Sequence, residues 1–230
     1  MRAVASVSLL DRAIYTYADV DRLVGSPAGT ARRWIDGYRR GEVDYPPVLR
    51  QQSTGVETVT WGEMVEARLL AEFRNRRVSL RRLRPAVLRL REEFGPHPLA
   101  HARPLLDVAG RELVLRVQDE VGLDLALSLV VVRSGQVMLD LPAQRFTESI
   151  VYDEDVAVAV HPATVVPEVR IDPQRAFGQP AVRGVRTEVL AQDYRAGESR
   201  EILAELYDLT VDHVDQALRY EMIAASAAVA

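Results

Sequence analysis

The chain has 230 residues, 48% hydrophobic and 27% charged, with no cysteine and a net charge of −4. That is the composition of a globular protein large enough for a substantial core. It excludes disulfides and thiolate metal centres, and the longest apolar run, Leu125–Val132, is far shorter than a membrane span.

Every basic residue is an arginine, and the arginines are unevenly placed. Residues 1–91 hold 17 arginines and 10 carboxylates, a net of +7, whereas residues 92–230 carry −11. The front of the chain therefore suits a polyanion and the back does not. The N-terminus shows no secretion signal, so a cytoplasmic protein is expected.

In chain order, residues 15–40 read as helix, turn, helix. Gly25 breaks the first helix; Ser26 caps the second, with Pro27 at its first position. On that second helix Ala31, Trp34, Ile35 and Tyr38 share one side, and Arg32, Arg33, Arg39 and Arg40 lie on or beside the other. Two β-prone pieces follow, Val48–Arg50 and Val56–Trp61, around Gly55; after a helix-turn-helix, such a hairpin would be a wing. Arg32, Arg33, Arg39, Arg40 and Arg50 are the candidate DNA contacts, because guanidiniums match phosphates and the guanine O6/N7 edge.

Residues 62–75 read as a helix with Val65, Leu69 and Phe73 in register. The basic stretch 79–95 reads as helical, with Pro85 either kinking it or starting a second helix. The arginines of 74–91 either touch backbone phosphates or form a solvated face. Pro104–Val117 reads as two strands around Ala109-Gly110, and Ser149–Pro162 as a hairpin turning at Asp153–Asp155. Between them, residues 130–139 suit strand and Pro142–Glu148 a helical turn; residues 161–169 suit a linker.

At the C-terminus, Thr187, Ser199 and Thr210 cap three short helices, and Ile202, Leu203 and Leu206 form the apolar face of the middle one. This trihelical unit has a DNA reader's outline but the wrong charge: residues 187–230 hold 3 arginines and 9 carboxylates. It reads as a protein-contact or dimerisation surface, or as a packed subdomain without a partner. His97 and His101 are four apart, but Pro96 and Pro98 deny them a shared helix, so no metal site is expected. No nucleophile triad, phosphate loop or dinucleotide fingerprint is present, so no enzyme and no cofactor is expected.

The fold class expected is mainly α with α+β elements, in three parts: a winged helix-turn-helix (1–100), a β-hairpin connecting region (101–165) and the trihelical domain (166–230).

Residues Ile171–Glu221 carry a family likeness. Asp172-Pro173, Gly178, Pro180, Arg183-Gly184, Arg186, Gly197, Ser199, Glu201, Ala204, Ala217-Leu218 and Tyr220 fill the pattern of a small bacterial domain family first catalogued as of unknown function. Val185 stands where threonine or arginine is usual. Such proteins resemble antitoxins of VapB type, and the whole chain resembles their longer two-domain mycobacterial form. That resemblance implies a PIN-domain ribonuclease toxin as partner, a homodimer, and binding to operator DNA. Arg183 and Arg186, on a Gly/Pro-shaped loop with Phe177, are the candidate toxin contacts, since guanidiniums would pair with the carboxylates of such an enzyme. The alternative is a stand-alone transcription regulator whose central region binds a ligand.

Overall fold

The computed structural model describes residues 8–74 and 78–229. Among the described residues the fold is mainly helical, with four small antiparallel sheets. Strand β1 (Ala13–Thr16) runs into helix α1 (Tyr17–Leu23). The Thr16 hydroxyl accepts from the Asp19 amide while the Asp19 carboxylate accepts from the Thr16 amide, so two of the amides left free at the helix start are satisfied.

Helix α2 is Thr30–Ile35, shorter at both ends than predicted. Ser26 does not cap it. The cap comes from the neighbouring helix: the buried Asp21 carboxylate of α1 accepts from the Gly29 and Ala31 amides, each at 2.6 Å. Gly37 ends the helical path at φ +77°, where a Cβ would lie 2.5 Å from the Tyr45 carbonyl oxygen. Tyr38–Arg40 is therefore strand β2, hairpinned to β3 (Val43–Tyr45), and not the last turn of a helix. The predicted hairpin over residues 48–61 is absent. Val48 and Leu49 are buried coil, and β4 (Thr58–Thr60) pairs with β1 instead.

Helix α3 (Trp61–Glu72) opens on a second capping box, Thr60 with Glu63, and is the axis of the molecule. Trp61, Val65, Leu69 and, just past its end, Phe73 are fully buried, and the Trp61 indole donates to the Ala157 carbonyl at 2.7 Å. Pro85 starts helix α4 (Arg84–Phe94) after a 3-10 turn, settling the alternative left open by sequence.

The two strands predicted over 104–117 are helices, α5 (Arg103–Leu106) and α6 (Val108–Glu120). Gly110 is not a hairpin turn. It lets α6 cross the end of α5, for a Cβ there would lie 1.8 Å from the Arg103 carbonyl oxygen. Val114 and Val117 then face the core, and the buried Gln118 amide docks onto β5 (Val130–Arg133) through Leu129 and Val130.

Strand β5 pairs with β6 (Gln136–Leu139), followed by α7 (Leu141–Ser149). The hairpin β7 (Ile150–Asp153) and β8 (Val156–Val160) forms where predicted. It continues through β9 (Arg170–Ile171), β10 (Pro180–Val182) and β11 (Val185–Arg186) into one five-stranded sheet, in the order β11-β10-β9-β8-β7.

Helices α8 (Thr187–Arg195), α9 (Arg200–Leu206) and α10 (Val211–Val229) pack on the end of that sheet. Ser199 and Thr210 supply caps through the Ile202 and His213 amides. Thr187 does not: it is buried inside α8 and its hydroxyl serves the Pro180 carbonyl and Glu221. Leu203 and Ala204 face the core, whereas Ile202 and Leu206 are exposed, contrary to the predicted apolar face. None of the described helices is long and apolar enough to cross a membrane.

One core runs from Leu10 to Ile171 and joins the N-terminal elements to the central region; a smaller one, around Val182, Leu190, Leu203 and Val214, holds the C-terminal helices. The link between front and back is specific. The buried Tyr15 hydroxyl donates to the Gly178 carbonyl at 2.8 Å, and Arg22 of α1 donates to the Gln179 side chain. Gly178 sits at φ +69°, and a Cβ on it would lie 2.4 Å from the Tyr15 hydroxyl oxygen. Gly178→Ala is therefore expected to destabilise the fold by about 2–3 kcal/mol, as left-handed strain plus overpacking, read as a lower urea midpoint.

Candidate nucleic-acid and partner interfaces

The helix-turn-helix consists of α1 and α2 backed by α3, with the β2–β3 hairpin projecting beside α2. Arg32 and Arg33 stand exposed on α2, and Arg39 and Arg40 on the hairpin. All four predicted groups thus reach solvent from two elements instead of one. Arg33 folds back on the Gly29 carbonyl and Thr30 hydroxyl, and Arg39 lies 3.5 Å from Asp44 across the hairpin. These partners are local and exposed, and such contacts are weak.

The fifth predicted group, Arg50, is turned inward. Its side chain is 11% exposed. It donates to Glu63 at 2.6 and 3.1 Å, to Asp36 at 3.0 Å, to Thr54, and to the Val56 and Thr58 carbonyls. Burial by itself would make the guanidinium less basic; Glu63 and Asp36 outweigh it and raise its pKa. For Asp36, burial would raise the carboxyl, but the Thr54 amide, Arg50, Ser53 and the Thr54 hydroxyl outweigh it and hold the pKa at about 2. With both carboxylates bound to Arg50 and Asp36 also accepting from Ser53, Thr54 and the Gly55 amide, this cluster orders residues 50–58. It does not face a phosphate.

The arginine-rich stretch is likewise largely spoken for. Arg84 donates to the carbonyls of Pro47, Arg50 and Gln51, and Arg91 to that of Leu49. Arg82 pairs with Asp124, and Arg89 with Glu92, Glu93 and Glu120. Arg74 donates to the Gly25 carbonyl; Arg76 and Arg77 lie outside the described residues. Arg81 differs. Its guanidinium stacks 4.3 Å over the Tyr45 ring, which stacks on Tyr38 at 4.5 Å, and the column braces the hairpin. The sequence signal for this hairpin is a pair of tyrosines placed symmetrically about the Gly41-Glu42 turn.

The C-terminal candidates sit on a strained frame. Ala176, Phe177 and Gly178 have φ of +48°, +55° and +69° in succession, and Phe177 is held 85% exposed. Arg183 and Gly184, at +49° and +91°, form the two-residue turn between β10 and β11. Arg183 and Arg186 are exposed. Non-glycine residues in the left-handed region cost free energy and cluster where a surface is used. The two histidines lie apart: His97 bridges Glu66 and Asp11, and His101 meets Asp155.

Residues 13–87 match a family described as "Putative DNA-binding HTH domain", and residues 169–220 one described as "Protein of unknown function (DUF433)". Across 96% of its length the chain is 43% identical to the uncharacterized protein Rv2308 of Mycobacterium tuberculosis, covering 95% of that protein. It is 30% identical to "Putative antitoxin VapB45" of the same organism, over 90% of this chain and 93% of the relative. The crystal structure of Rv2018 from Mycobacterium tuberculosis superposes with a TM-score of 0.73 at 27% identity, covering 91% of this chain and 99% of that one.

Arg50→Gln leaves Asp36 and Glu63 buried without their cation, and is expected to destabilise the fold by about 3 kcal/mol in chemical denaturation. The depressed Asp36 also sets an acid limb. Its contribution is complete above the ordinary carboxyl value of 3.8 and is lost as pH falls through about 2. Melting temperature should drop over that window, and Asp36→Asn should flatten the drop.

Proposed function

The chain belongs to the family of the Mycobacterium tuberculosis proteins Rv2308 and VapB45, and from that premise we propose that it is a DNA-binding antitoxin. In this reading its helix-turn-helix binds the operator of its own operon as a homodimer. Its C-terminal domain holds and neutralises a PIN-domain ribonuclease toxin. The observation that carries the reading is the pairing of two unlike surfaces on one chain: exposed arginines on a helix-turn-helix at the front, and an acidic trihelical unit with a strained, exposed loop at the back.

On DNA, Arg32 and Arg33 approach from α2 while Arg39 and Arg40 act from the hairpin as a wing, with Arg81 supporting it. Arg50 contributes by position, holding the segment that joins hairpin to α3. Guanidiniums on two elements can follow a backbone around a groove, which one face of a six-residue helix cannot. On the toxin, Phe177 offers an apolar anchor at low entropic cost. Arg183 and Arg186 offer charge to the carboxylates of a metal-dependent nuclease.

Co-expression with the neighbouring reading frame tests the reading: a partner that cleaves RNA alone and falls silent in a stable complex is the expected result, and no complex would leave a stand-alone regulator. For the DNA half, binding to the upstream region should weaken steeply with salt. Arg40→Gln should reduce the log–log salt slope by about 0.9 per protomer without changing the melting temperature.

A further inference from the structure

The outer face of the five-stranded sheet carries a group of arginines whose arrangement follows from strand register. Ala181 lies opposite Arg170 on one side and opposite Arg186 on the other. Paired residues in antiparallel strands point the same way, so these three stand in a row on one face. Arg183 stands in the turn just past β10, where the pleat no longer applies, but it is exposed and borders the same hollow as Arg170 and Ala181; Ile171, Pro180 and Val182, which alternate with Arg170 and Ala181 along the strands, are buried on the other face. Ala181 has the smallest side chain of the row and is only 7% exposed. It forms the floor of a cleft of about 450 Å³ whose walls include Arg170, Arg183 and Gln179.

Among the described residues, none of Arg170, Arg183 and Arg186 has a carboxylate within ion-pair distance. The two carboxylates of the cleft have other partners: Asp172 pairs with Arg175, also on the cleft wall, and accepts from the Gln174 amide, and Glu168 lies within 4.0 Å of His213. Two guanidiniums on the strand face and one on the adjoining turn, none of them with a carboxylate partner among the described residues, thus lie together in the half of the chain that is otherwise acidic. One of them, Arg183, occupies a turn position that favours asparagine or glycine. The wall residue Gln179 is hydrogen-bonded to Arg22 of α1, so the cleft abuts the helix-turn-helix.

We propose that this cleft is an oxyanion-binding site, in which carboxylate or phosphate groups enter over Ala181 and are held by its wall residues Arg170 and Arg183, with Arg186, opposite Ala181 on the neighbouring strand, as a flanking cation. Planar guanidiniums bind such groups through paired N–H donors. Asp172 and Glu168 limit the charge the cleft accepts, which suits a ligand with a few anionic groups and disfavours a nucleic-acid backbone. The proposal adds Arg170 to the partner-binding reading of Arg183 and Arg186. It stands on its own if no toxin exists, because the oxyanion can belong to a partner protein or to a free organic acid.

The test is calorimetric titration of the full chain with citrate and with inorganic phosphate, at ionic strength matched with chloride. Saturable binding of either is expected, weakened about tenfold, the equivalent of one lost charge-assisted contact, in Arg170→Gln and in Arg186→Gln. Arg183→Asn should melt higher than the wild type, because asparagine suits the turn, and yet bind more weakly; a merely structural arginine would not separate the two readouts. No saturable binding to the wild type, or binding unchanged in Arg170→Gln and Arg186→Gln, overturns the proposal. So does loss of operator affinity in those variants without citrate or phosphate binding, which would assign the face to DNA. If excess citrate releases a co-purified partner, the oxyanion is the partner's; if citrate binds while the partner stays, it is a free acid.

Discussion

The buried guanidinium of Arg50 is the contact on which the front of this molecule rests. Between the β2–β3 hairpin and α3 the chain makes only the short strand β4, yet Val48 and Leu49 are in the core. Buried coil leaves backbone carbonyls without ladder partners, and each must find a donor. Arg50, Arg84 and Arg91 supply those donors from three sides, and Asp36 and Glu63 neutralise the first of them. A buried cation held this way contributes little net stability over a hydrophobic replacement, but it is costly to break. Its role is to fix one arrangement of a segment that periodic structure does not specify.

The same fact changes the meaning of the positive charge. An excess of arginine in residues 1–91 reads as a nucleic-acid surface, but much of it is spent on the protein's own carbonyls and carboxylates. What remains outward on and beside α2 is narrower: Arg32 and Arg33 on the helix, Arg39 and Arg40 on the hairpin, and Arg81 stacked behind, with Arg12 exposed just before β1. An interface of this kind is geometric more than electrostatic in bulk, since its arginines are placed by a turn at Gly37 and a tyrosine stack.

The front and back of the chain are not independent modules joined by a linker. The central hairpin and the strands leading to α8 form one sheet, and the turn that exposes Phe177 is clasped by Tyr15 and Arg22 at the base of the helix-turn-helix. A ligand on the Arg170–Arg186 face would sit one hydrogen bond, Gln179 to Arg22, away from the helix-turn-helix. Any communication between the two surfaces has this route available to it.

Local signals carried much of the architecture. Capping residues at Ser199 and Thr210, the Pro85 helix start, the turn at Asp153–Asp155 and the period of Val65, Leu69 and Phe73 are decided within a few residues of themselves, so they were legible. The exposed arginines of the candidate DNA surface were legible as residue types, and the loop of Phe177, Arg183 and Arg186 as a shaped turn. Tertiary structure decided the rest. Gly110 resembles a hairpin turn until α5 lies against it; Thr187 resembles a cap until Glu221 arrives from α10; Arg50 resembles a phosphate contact until Asp36 and Glu63 close on it. For Arg50 and Thr187 the partners lie 13 to 34 residues away, and for Gly110 the partner is the preceding helix brought back by a sharp turn; sequence pattern reports a residue's own preference, not which neighbour will be close enough to claim it. The sequence by itself thus determined, through spacing, caps and charge, a mainly helical, arginine-based protein with opposed charge at its two ends. Which arginines face outward, and which hold the fold, was settled only by packing, because a guanidinium serves a phosphate, a carboxylate or a carbonyl with the same donors.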